Sequence, residues 1–511
     1  MSTPMQQWYT GRSVFVTGGT GFMGKILLEK LVRAVVGIKN VYVLIRPKKG
    51  LTPEERLELI TKLPIFDKIR ETDPKAVKKL IAVDGDVTQA GLGLSDKNKK
   101  LIKKSVSIVI HGAAYLRLEA CVKDAIIQNT LGTKNLIDFC KEIPNLKSLV
   151  HLSTAFCHAD VEYLEEKIYP PTKDPYEVMR LIEWLDDKSL EQIEPSLLYP
   201  HPNSYTFSKR LAETIVYDAG HDLPATILRP SIVIPALHEP IPGWVDSLNG
   251  PVGILVGAGK GVIRTMLVNV NNHAEFIPVD IAINGILVGA WYRGTRDFQD
   301  TPVYNVTQSQ DLLSITWGEA LDRMKGGFYK NPFEWTLWYP GGYLGTNVFI
   351  HKLCIIFMHK IPAYVIDSLL FILRQKTFMV RLQRRISTGL EVLQYFALRE
   401  WHFSNKNCLV IADEMVEEDL NTFYMANAEY DVDIYMLTAL LGTRKYCIKE
   451  SLKSIPRSRR NLMILYILDR LIKIVFLGYV IWFILDIFHL MPHISTFWSE
   501  NKVSLISLAP H

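Results

Sequence analysis

The sequence has few cysteines, and they lack the arrangement that a metal site or a disulfide framework requires. Its six cysteines, among 511 residues, lie at positions 121, 140, 157, 354, 408 and 447, with no CxxC pair and no accompanying histidine spacing. The first residues, MSTPMQQWYTGRS, contain no apolar run like that of a cleaved signal peptide. We therefore predict no metal site, and we expect the folded chain to face a reducing compartment, the cytosol.

The sequence also lacks a strong excess of charge of one sign. It contains 58 Lys and Arg residues against 53 Asp and Glu residues, for a formal net charge of +5. No helix clusters cations with base-reading side chains, so we expect no nucleic-acid partner. What the chain does have is apolar material, with 48% hydrophobic and 22% charged residues. At this length, two or three domains are expected.

The most informative segment is VFVTGGTGFMG, residues 14–24. An apolar β-branched run is followed by glycines at the spacing GxxGxxG, and KILLEKLVR then continues with helical periodicity. Such glycines allow a tight turn and let the backbone approach a pyrophosphate, which binds the N–H groups at the helix start. The alternative is a plain strand-to-helix turn, but the flanking strand and helix favour a dinucleotide site. The predicted cofactor-binding residues here are Thr17, Gly18, Gly21, Phe22, Met23 and Gly24.

The end of the next predicted strand indicates which nucleotide binds. The strand Val41–Ile45 is followed by Arg46, Pro47, Lys48 and Lys49, with no Asp or Glu to hold a ribose 2′-hydroxyl. Cations at this position suit a 2′-phosphate. We therefore predict NADPH rather than NADH, with Arg46 as the phosphate-binding residue; the alternative is a solvated basic turn.

Strands and helical segments alternate through the first half of the chain. After the first two strands, apolar or β-branched runs occur at 80–83, 107–110, 149–152 and 226–228. This alternation predicts an α/β fold with a doubly wound parallel sheet of the Rossmann type. From about residue 235 the pattern changes to a Pro/Gly-rich stretch, HEPIPGWVDSLNGPVGILVGAGKG, which we interpret as ordered loops near a site.

The second half of the chain is predicted to be helical and to end in a membrane anchor. We expect a reductase domain at 1–346 with substrate-binding insertions, a helical domain at 347–452, and a basic flank with a membrane-anchoring tail at 453–511. The run Leu471–Leu490 is long enough to span a bilayer, although Lys473, Asp486 and His489 interrupt it. The alternative is a buried core helix. The apolar segment 348–373 is also interrupted by polar residues and is more typical of a helix pair lying on a membrane or lining a cavity.

Candidate catalytic residues lie in two segments, one at the end of the predicted strand 149–152 and one in a predicted helix further along the chain. Tyr205 and Lys209 are four residues apart in the motif YTFSK, so on a helix they lie on one face. A nearby lysine favours the phenolate and brings the tyrosine closer to the operating pH. Upstream, HLSTAF ends a strand with Ser153 and Thr154, either of which could donate a hydrogen bond to a substrate carbonyl. Cys157 is a weaker candidate, as a thioester-forming nucleophile, because no partner base is evident.

These segments together resemble the extended short-chain dehydrogenases/reductases, and later segments narrow the resemblance to the fatty acyl-CoA reductases of the male-sterility type. It covers almost the whole chain and rests on an ordered series of motifs. They are TGGTGFMG, GDV, HGAA, NTLGT, HLSTAF, YTFSK, LRPSIV, EPIPGWVDSLNGPVG, GAGKG, WYPGG, HKIPAYVID and GTRKY.

The resemblance implies NADPH-dependent reduction of a long-chain fatty acyl-CoA to a primary alcohol, through an aldehyde, with release of CoA. It places Asp86 and Val87 near the adenine and Ala113 near the nicotinamide ribose. Two rival functions are a membrane-anchored reductase of a sterol or other free carbonyl, and a non-catalytic NADPH-binding scaffold. The sequence YLRLE after HGAA departs from the family pattern near the nicotinamide end, which weakly favours the scaffold.

The cations around the apolar tail predict its topology. Lys and Arg residues crowd the N-terminal flank of the run, whereas Lys502 is the only one of either type after Leu490. Because such cations stay on the cytosolic side of a membrane, the reductase part should be membrane-bound and face the cytosol. We expect the endoplasmic reticulum membrane, with the peroxisomal membrane as the alternative.

Overall fold

The computed structural model describes residues 2–308, 313–425 and 427–487. Its strands, in chain order, are β1 (Ser13–Thr17), β2 (Asn40–Ile45), β3 (Leu80–Asp84), β4 (Val106–His111), β5 (Ser148–Leu152), β6 (Tyr163–Leu164), β7 (Ala225–Pro230), β8 (Ile232–Ile234), β9 (Thr265–Leu267), β10 (Phe276–Pro278), β11 (Val303–Val306), β12 (Tyr343–Gly345) and β13 (His402–Phe403).

The helices are, in the same order, α1 (Pro4–Tyr9), α2 (Phe22–Ala34), α3 (Pro53–Thr61), α4 (Asp67–Thr72), α5 (Asp96–Ser105), α6 (Val122–Ala125), α7 (Gly132–Cys140), α8 (Pro175–Trp184), α9 (Asp187–Leu198), α10 (Ser204–Ala219), α11 (Pro251–Gly259), α12 (Val279–Thr295), α13 (Trp317–Lys330), α14 (Val348–Cys354), α15 (Ile361–Ile372), α16 (Met379–Ala397), α17 (Lys406–Asp413), α18 (Glu417–Thr422), α19 (Val432–Gly442) and α20 (Ile455–Ile487).

Seven parallel strands form the central sheet, in the order β11-β7-β5-β4-β1-β2-β3. The strand order reverses between β1 and β4, and ligands of doubly wound folds bind outside the carboxyl ends of the strands at such a point. The predicted parallel sheet is therefore confirmed. The seventh strand, β11, is not among the predicted strands, because it is short and carries Asn305 among its apolar residues. This buried amide donates to the carbonyls of Leu164 and Ser404, so its partners come from distant segments.

The sheet separates two apolar layers because side chains alternate along a strand. Val14 and Val16 of β1 pack on the side of α2 and α12, whereas Phe15 packs with α5, α7 and α10 on the other side. The first layer also contains buried residues of the C-terminal region, such as Ile411 and Phe423. The helical second half therefore packs directly on the nucleotide-binding half.

Two segments differ from the sequence-based expectation. The Pro/Gly-rich stretch is not entirely loop, because α11 forms within it at Pro251–Gly259. The segment predicted as a helix pair is a single helix, Val348–Ile372, in which a π-helical stretch, Ile355–Lys360, joins α14 to α15. Within the described residues, this helix alone is long and apolar enough to cross a membrane by length and composition, and little of its apolar part is buried.

The predicted membrane anchor overlaps the last helix. Helix α20 is continuous over 33 residues and includes positions 471–487 of the apolar run, whereas positions 488–490 lie outside the described residues. Ile474, Val475 and Phe476 are each more than half exposed. A helix packed into a core would bury such side chains, so this part of α20 is not a buried core helix.

Candidate active site

The first element of the site is the glycine turn between β1 and α2. Gly18 has φ = +77°, and a Cβ there would lie 2.4 Å from the carbonyl carbon of Gly112 on the neighbouring strand connection. A Cβ on Gly24 would lie 2.2 Å from the Gly18 carbonyl oxygen. Both positions therefore require glycine. Gly21 is the N-cap of α2 without a side-chain cap, which leaves the first N–H groups of the helix available to an anion.

A large cleft of about 1150 Å³ lies at the carboxyl ends of the central strands, beside this turn. All of the sequence-predicted cofactor and catalytic residues line it. They are Thr17, Gly18, Gly21, Phe22, Met23, Gly24, Arg46, Asp86, Val87, Ala113, Ser153, Thr154, Tyr205 and Lys209. The fold therefore brings together groups spread over nearly 200 residues of chain, although the role of each remains a prediction.

The basic end of the cleft lies beyond β2. The Arg46 guanidinium lies 3.2 Å from a carboxylate oxygen of Asp86, whose other oxygen accepts hydrogen bonds from Thr88. Arg56 of α3 donates to the Arg46 carbonyl and also lines the cleft, as does Lys48. Arg56 was missed because it lies on a separate helix ten residues downstream, and only the turn after β2 brings it back to this edge.

Ser153 and Thr154 follow directly after β5, at the other end of the cleft. The Ser153 backbone N–H donates to the Leu228 carbonyl at 2.7 Å, which fixes the chain at the sheet edge. Its Oγ is buried and makes no hydrogen bond of ordinary geometry within the described residues, although the neighbouring Cys157 thiol is close enough to interact with it. The Thr154 hydroxyl accepts from the Phe156 N–H at 3.3 Å and lies close enough to the Tyr205 phenol to interact with it. A buried hydroxyl without a partner is costly, so Ser153 Oγ is suited to binding a ligand oxygen.

Tyr205 and Lys209 lie on the first two turns of α10, which Asn203 caps by accepting a hydrogen bond from Thr206. Burial raises the pKa of the Tyr205 phenol, so the phenol keeps its proton. The Lys209 ammonium donates to the Leu152 carbonyl and lies 3.5 Å from His151 Nε2. Burial lowers the pKa of Lys209 to about 8. The expected lowering of the tyrosine pKa by the lysine is therefore not found in this structure, where burial raises that pKa and the ammonium binds the Leu152 carbonyl instead.

A buried ion-pair network connects α10, which carries Tyr205 and Lys209, to the neighbouring strand β7. Arg229 of β7 donates to both carboxylate oxygens of Glu213 on α10, at 2.8 and 2.7 Å. His158 Nε2 lies 3.0 Å from one of these oxygens, and the Cys157 thiol donates to the other at 3.2 Å. The pairing with Arg229 holds the pKa of Glu213 well below its usual range.

The surroundings of Cys157 in this network determine whether the cysteine can act as a nucleophile or as a metal ligand. Burial raises the pKa of the Cys157 thiol, so Cys157 stays protonated and is not an activated nucleophile. Cys157, His158 and Glu213 are donor types that metals use, and their donor atoms lie within 4.8 Å of one another. Because Arg229 already neutralises the carboxylate, the cluster is best described as a structural ion pair.

The groups that line the cleft are those that a dinucleotide needs. The strand order places the glycine turn after β1 between the cations that follow β2 and the buried Ser153 Oγ that follows β5. A doubly wound sheet with this turn at its switch point defines an NAD(P)-binding Rossmann protein.

Comparison of the sequence with known families agrees with this class and narrows it. Two family profiles, both described as "Male sterility protein", match residues 16–286 and 358–450. The chain is 36% identical to fatty acyl-CoA reductase 1 of Gallus gallus over 456 residues, 89% of this chain and 88% of that relative. It is 35% identical to fatty acyl-CoA reductase wat of Drosophila melanogaster over 94% of this chain and 92% of that relative. The chain belongs to the fatty acyl-CoA reductase family.

Solved structures resemble the fold at low sequence identity. The reductase domain of a nonribosomal peptide synthetase from Mycobacterium tuberculosis superimposes with a TM-score of 0.57 at 18% identity, covering 84% of this chain and 91% of that chain. The terminal reductase domain of the myxalamid biosynthetic pathway gives a TM-score of 0.53 at 18% identity, covering 85% and 91%. These similarities establish the Rossmann architecture of the sheet and its surrounding helices.

Proposed function

We propose that this protein is an alcohol-forming fatty acyl-CoA reductase that uses NADPH and acts on long-chain acyl-CoA. Family membership over most of the chain supports thioester reduction rather than reduction of a sterol or other free carbonyl. The main structural support for catalysis is the buried Ser153 Oγ, which makes no hydrogen bond of ordinary geometry and lies in the same cleft as Tyr205 and the glycine turn. An intact proton donor and oxygen-binding group argue against a non-catalytic scaffold.

The residues of the chain perform three tasks in this reaction. When bound, NADPH supplies the hydride for each of the two reductions, of the thioester and then of the aldehyde. Ser153 and Tyr205 donate hydrogen bonds to the substrate oxygen as negative charge develops on it, with Thr154 orienting the phenol. Tyr205, which burial keeps protonated, gives its proton to the alkoxide of the alcohol product. Lys209 holds the cofactor ribose from the adjacent helical turn.

A product assay tests the activity. Purified protein with palmitoyl-CoA and NADPH should release free CoA and form hexadecanol, with two NADPH oxidised for each alcohol. A reductase of free carbonyls would consume NADPH with a sterol ketone and release no CoA from palmitoyl-CoA. A scaffold would bind NADPH without turnover of either substrate.

The preference for NADPH depends on the basic end of the cleft. Arg46 is about half exposed and reaches toward the cleft, with Arg56 and Lys48 beside it. Replacing Arg46 with alanine removes a charge-assisted contact with the 2′-phosphate. The variant Arg46→Ala should therefore raise KM for NADPH far more than KM for NADH. The control Lys62→Ala removes an exposed cation outside the cleft and should change neither. Equal use of both cofactors by the unaltered protein would contradict the proposal.

Membrane attachment through the C-terminal segment is part of the same proposal. Helix α20 carries its cations mainly in the first half, before exposed apolar side chains from Ile474 onward. The whole of α20, 33 residues and about 50 Å, is longer than a bilayer core is thick, but its uncharged run, Ile474–Leu485, forms only the last part of the helix. We propose that the reductase part faces the cytosol at the endoplasmic reticulum, with the short tail crossing to the lumen.

Protease treatment of intact microsomes tests this topology. With an epitope at the C-terminus, the tag should be protected while the reductase part is digested, because the flanking cations retain it in the cytosol. Loss of the tag while the helix remains membrane-bound would instead indicate an apolar segment lying on the surface. Detergent-permeabilised microsomes provide the control, since the tag must then become accessible.

A further inference from the structure

A second cavity, of about 220 Å³, lies beside the cofactor cleft between α11, α13 and α19. We call it the α11–α13 cavity. Its wall is built mainly from apolar side chains, including Leu255 of α11, Leu321, Met324 and Phe328 of α13, and Met436 of α19. A space of this kind, open within a protein and lined with aliphatic and aromatic groups, binds an apolar ligand.

The α11–α13 cavity shares a wall with the cofactor cleft. Val252, in the first turn of α11, lines both spaces. In the adjacent strand β8, Val233 lines the cleft whereas Ile234 lines the cavity. Successive side chains of a strand point to opposite faces, so β8 and the start of α11 form the partition between them. The two spaces therefore meet at the wall that contains Val252.

The rim of the cavity away from this partition contacts the exposed apolar helix Val348–Ile372. Arg264 and Thr265 line the cavity, and His359 and His351 of that helix bind them. The Arg264 N–H donates to His359 Nε2 at 2.8 Å, and the Thr265 hydroxyl lies 2.8 Å from His351 Nδ1. These polar groups are therefore already paired.

We propose that the α11–α13 cavity binds the alkyl tail of the acyl-CoA substrate and that α13 limits its length. This inference rests on the proposed function, since it names where the chain of that substrate lies. The thioester carbonyl would bind at Ser153 and Tyr205, and the tail would pass Val252 toward α13. The fit is chemical, because an alkyl chain needs apolar contact and no hydrogen bonds, and each methylene that leaves water strengthens binding.

Changing the size of α13 side chains should change the chain-length profile. Leu321→Trp fills part of the cavity, so kcat/KM for palmitoyl-CoA and stearoyl-CoA should fall about tenfold or more, the effect of excluding roughly two methylenes. The value for octanoyl-CoA should remain near that of the parent. Met324→Ala enlarges the cavity and should shift the optimum to longer chains. Asp322→Trp is the matched control, because Asp322 is the exposed neighbour of Leu321 outside the cavity.

A labelling experiment tests the location without depending on turnover. Palmitoyl-CoA carrying a diazirine at the end of its chain is irradiated with the full-length protein, and the modified peptide is identified by mass spectrometry. Attachment within α11, α13 or α19 supports the inference. Attachment elsewhere, with no labelling of these helices, overturns it.

The two experiments separate this inference from the proposed function. If alcohol forms from acyl-CoA but Leu321→Trp and Met324→Ala leave the chain-length profile unchanged, the cavity does not hold the tail, although the function stands. If no acyl-CoA releases CoA but the diazirine labels α13, the proposed function fails while the cavity still binds an acyl chain.

Discussion

Replacing Tyr205 with phenylalanine should lower turnover by about 10²–10⁴-fold, the usual contribution of general acid catalysis. The substitution removes the phenol oxygen that donates to the substrate and keeps the ring. The Thr154 side chain interacts with this hydroxyl in the folded protein, and because the ring stays, little packing is lost. The melting temperature should therefore change little. The measurement is steady-state alcohol formation from palmitoyl-CoA with saturating NADPH, alongside the thermal unfolding of both proteins.

A matched control for this change lies on the same helix. Tyr217 is also part of α10 but does not line the cleft, and its ring contacts His221. Tyr217→Phe removes the same atom from the same element and should leave kcat unaltered. Near-parental alcohol production by Tyr205→Phe would remove Tyr205 from the mechanism. Equal losses in both variants would indicate damage to α10 rather than loss of a proton donor.

Replacing Arg229 with methionine should destabilise the folded protein by about 3–5 kcal/mol, because it leaves the Glu213 carboxylate buried without its main partner. Arg229 and Glu213 are both fully enclosed, and their two hydrogen bonds connect β7 to α10. The measurement is the free energy of unfolding in urea at pH 7, or the melting temperature if unfolding is irreversible. Because α10 carries Tyr205 and Lys209, activity should fall as well.

The pH dependence of this destabilisation gives a second readout. The pKa of Glu213 is depressed in the folded parent, so its stabilising contribution is present above the ordinary glutamate value of about 4.3 and is lost as the pH falls through the folded pKa. In Arg229→Met, burial without the guanidinium favours the protonated acid. The difference in stability between parent and variant should therefore narrow as the pH is lowered.

A double variant distinguishes an unpaired charge from lost packing. Arg229→Met combined with Glu213→Met replaces both charges with apolar side chains, and such replacements are often neutral. It should be more stable than Arg229→Met alone. If the double variant is no more stable than the single one, the destabilisation comes instead from loss of the guanidinium's hydrogen bonds to the carbonyls of Glu165 and Lys167, which both variants lack.

The local patterns of the sequence were sufficient to predict six of the seven strands of the sheet. Runs such as Val41–Ile45 are buried on both faces, so their apolar character is continuous and visible without any partner. The turn after β1 could also be predicted, because its glycine spacing is visible in the sequence. Only glycine fits the positive φ at position 18 and the close backbone contact at position 24. The four-residue spacing of Tyr205 and Lys209 indicated a shared helix face, and the structure places both in the cleft.

Features that depend on distant contacts could not be predicted in this way. The strand β11 is short and contains a buried amide whose partners lie on β6 and after β13. Arg56 reaches the basic end of the cleft from another helix. The α11–α13 cavity combines segments nearly 200 residues apart, and no local pattern marks its lining as different from ordinary core.

The sequence by itself therefore determined the class of fold, the position of the nucleotide site and the candidate catalytic group, since each depends on backbone conformation or spacing within a few residues. Tertiary structure alone decided the protonation and the hydrogen-bond partners of those groups. Burial raises the pKa of Tyr205, and the Leu152 carbonyl binds the Lys209 ammonium. Both effects come from the desolvation and packing of side chains by elements far along the chain, which a linear pattern does not record.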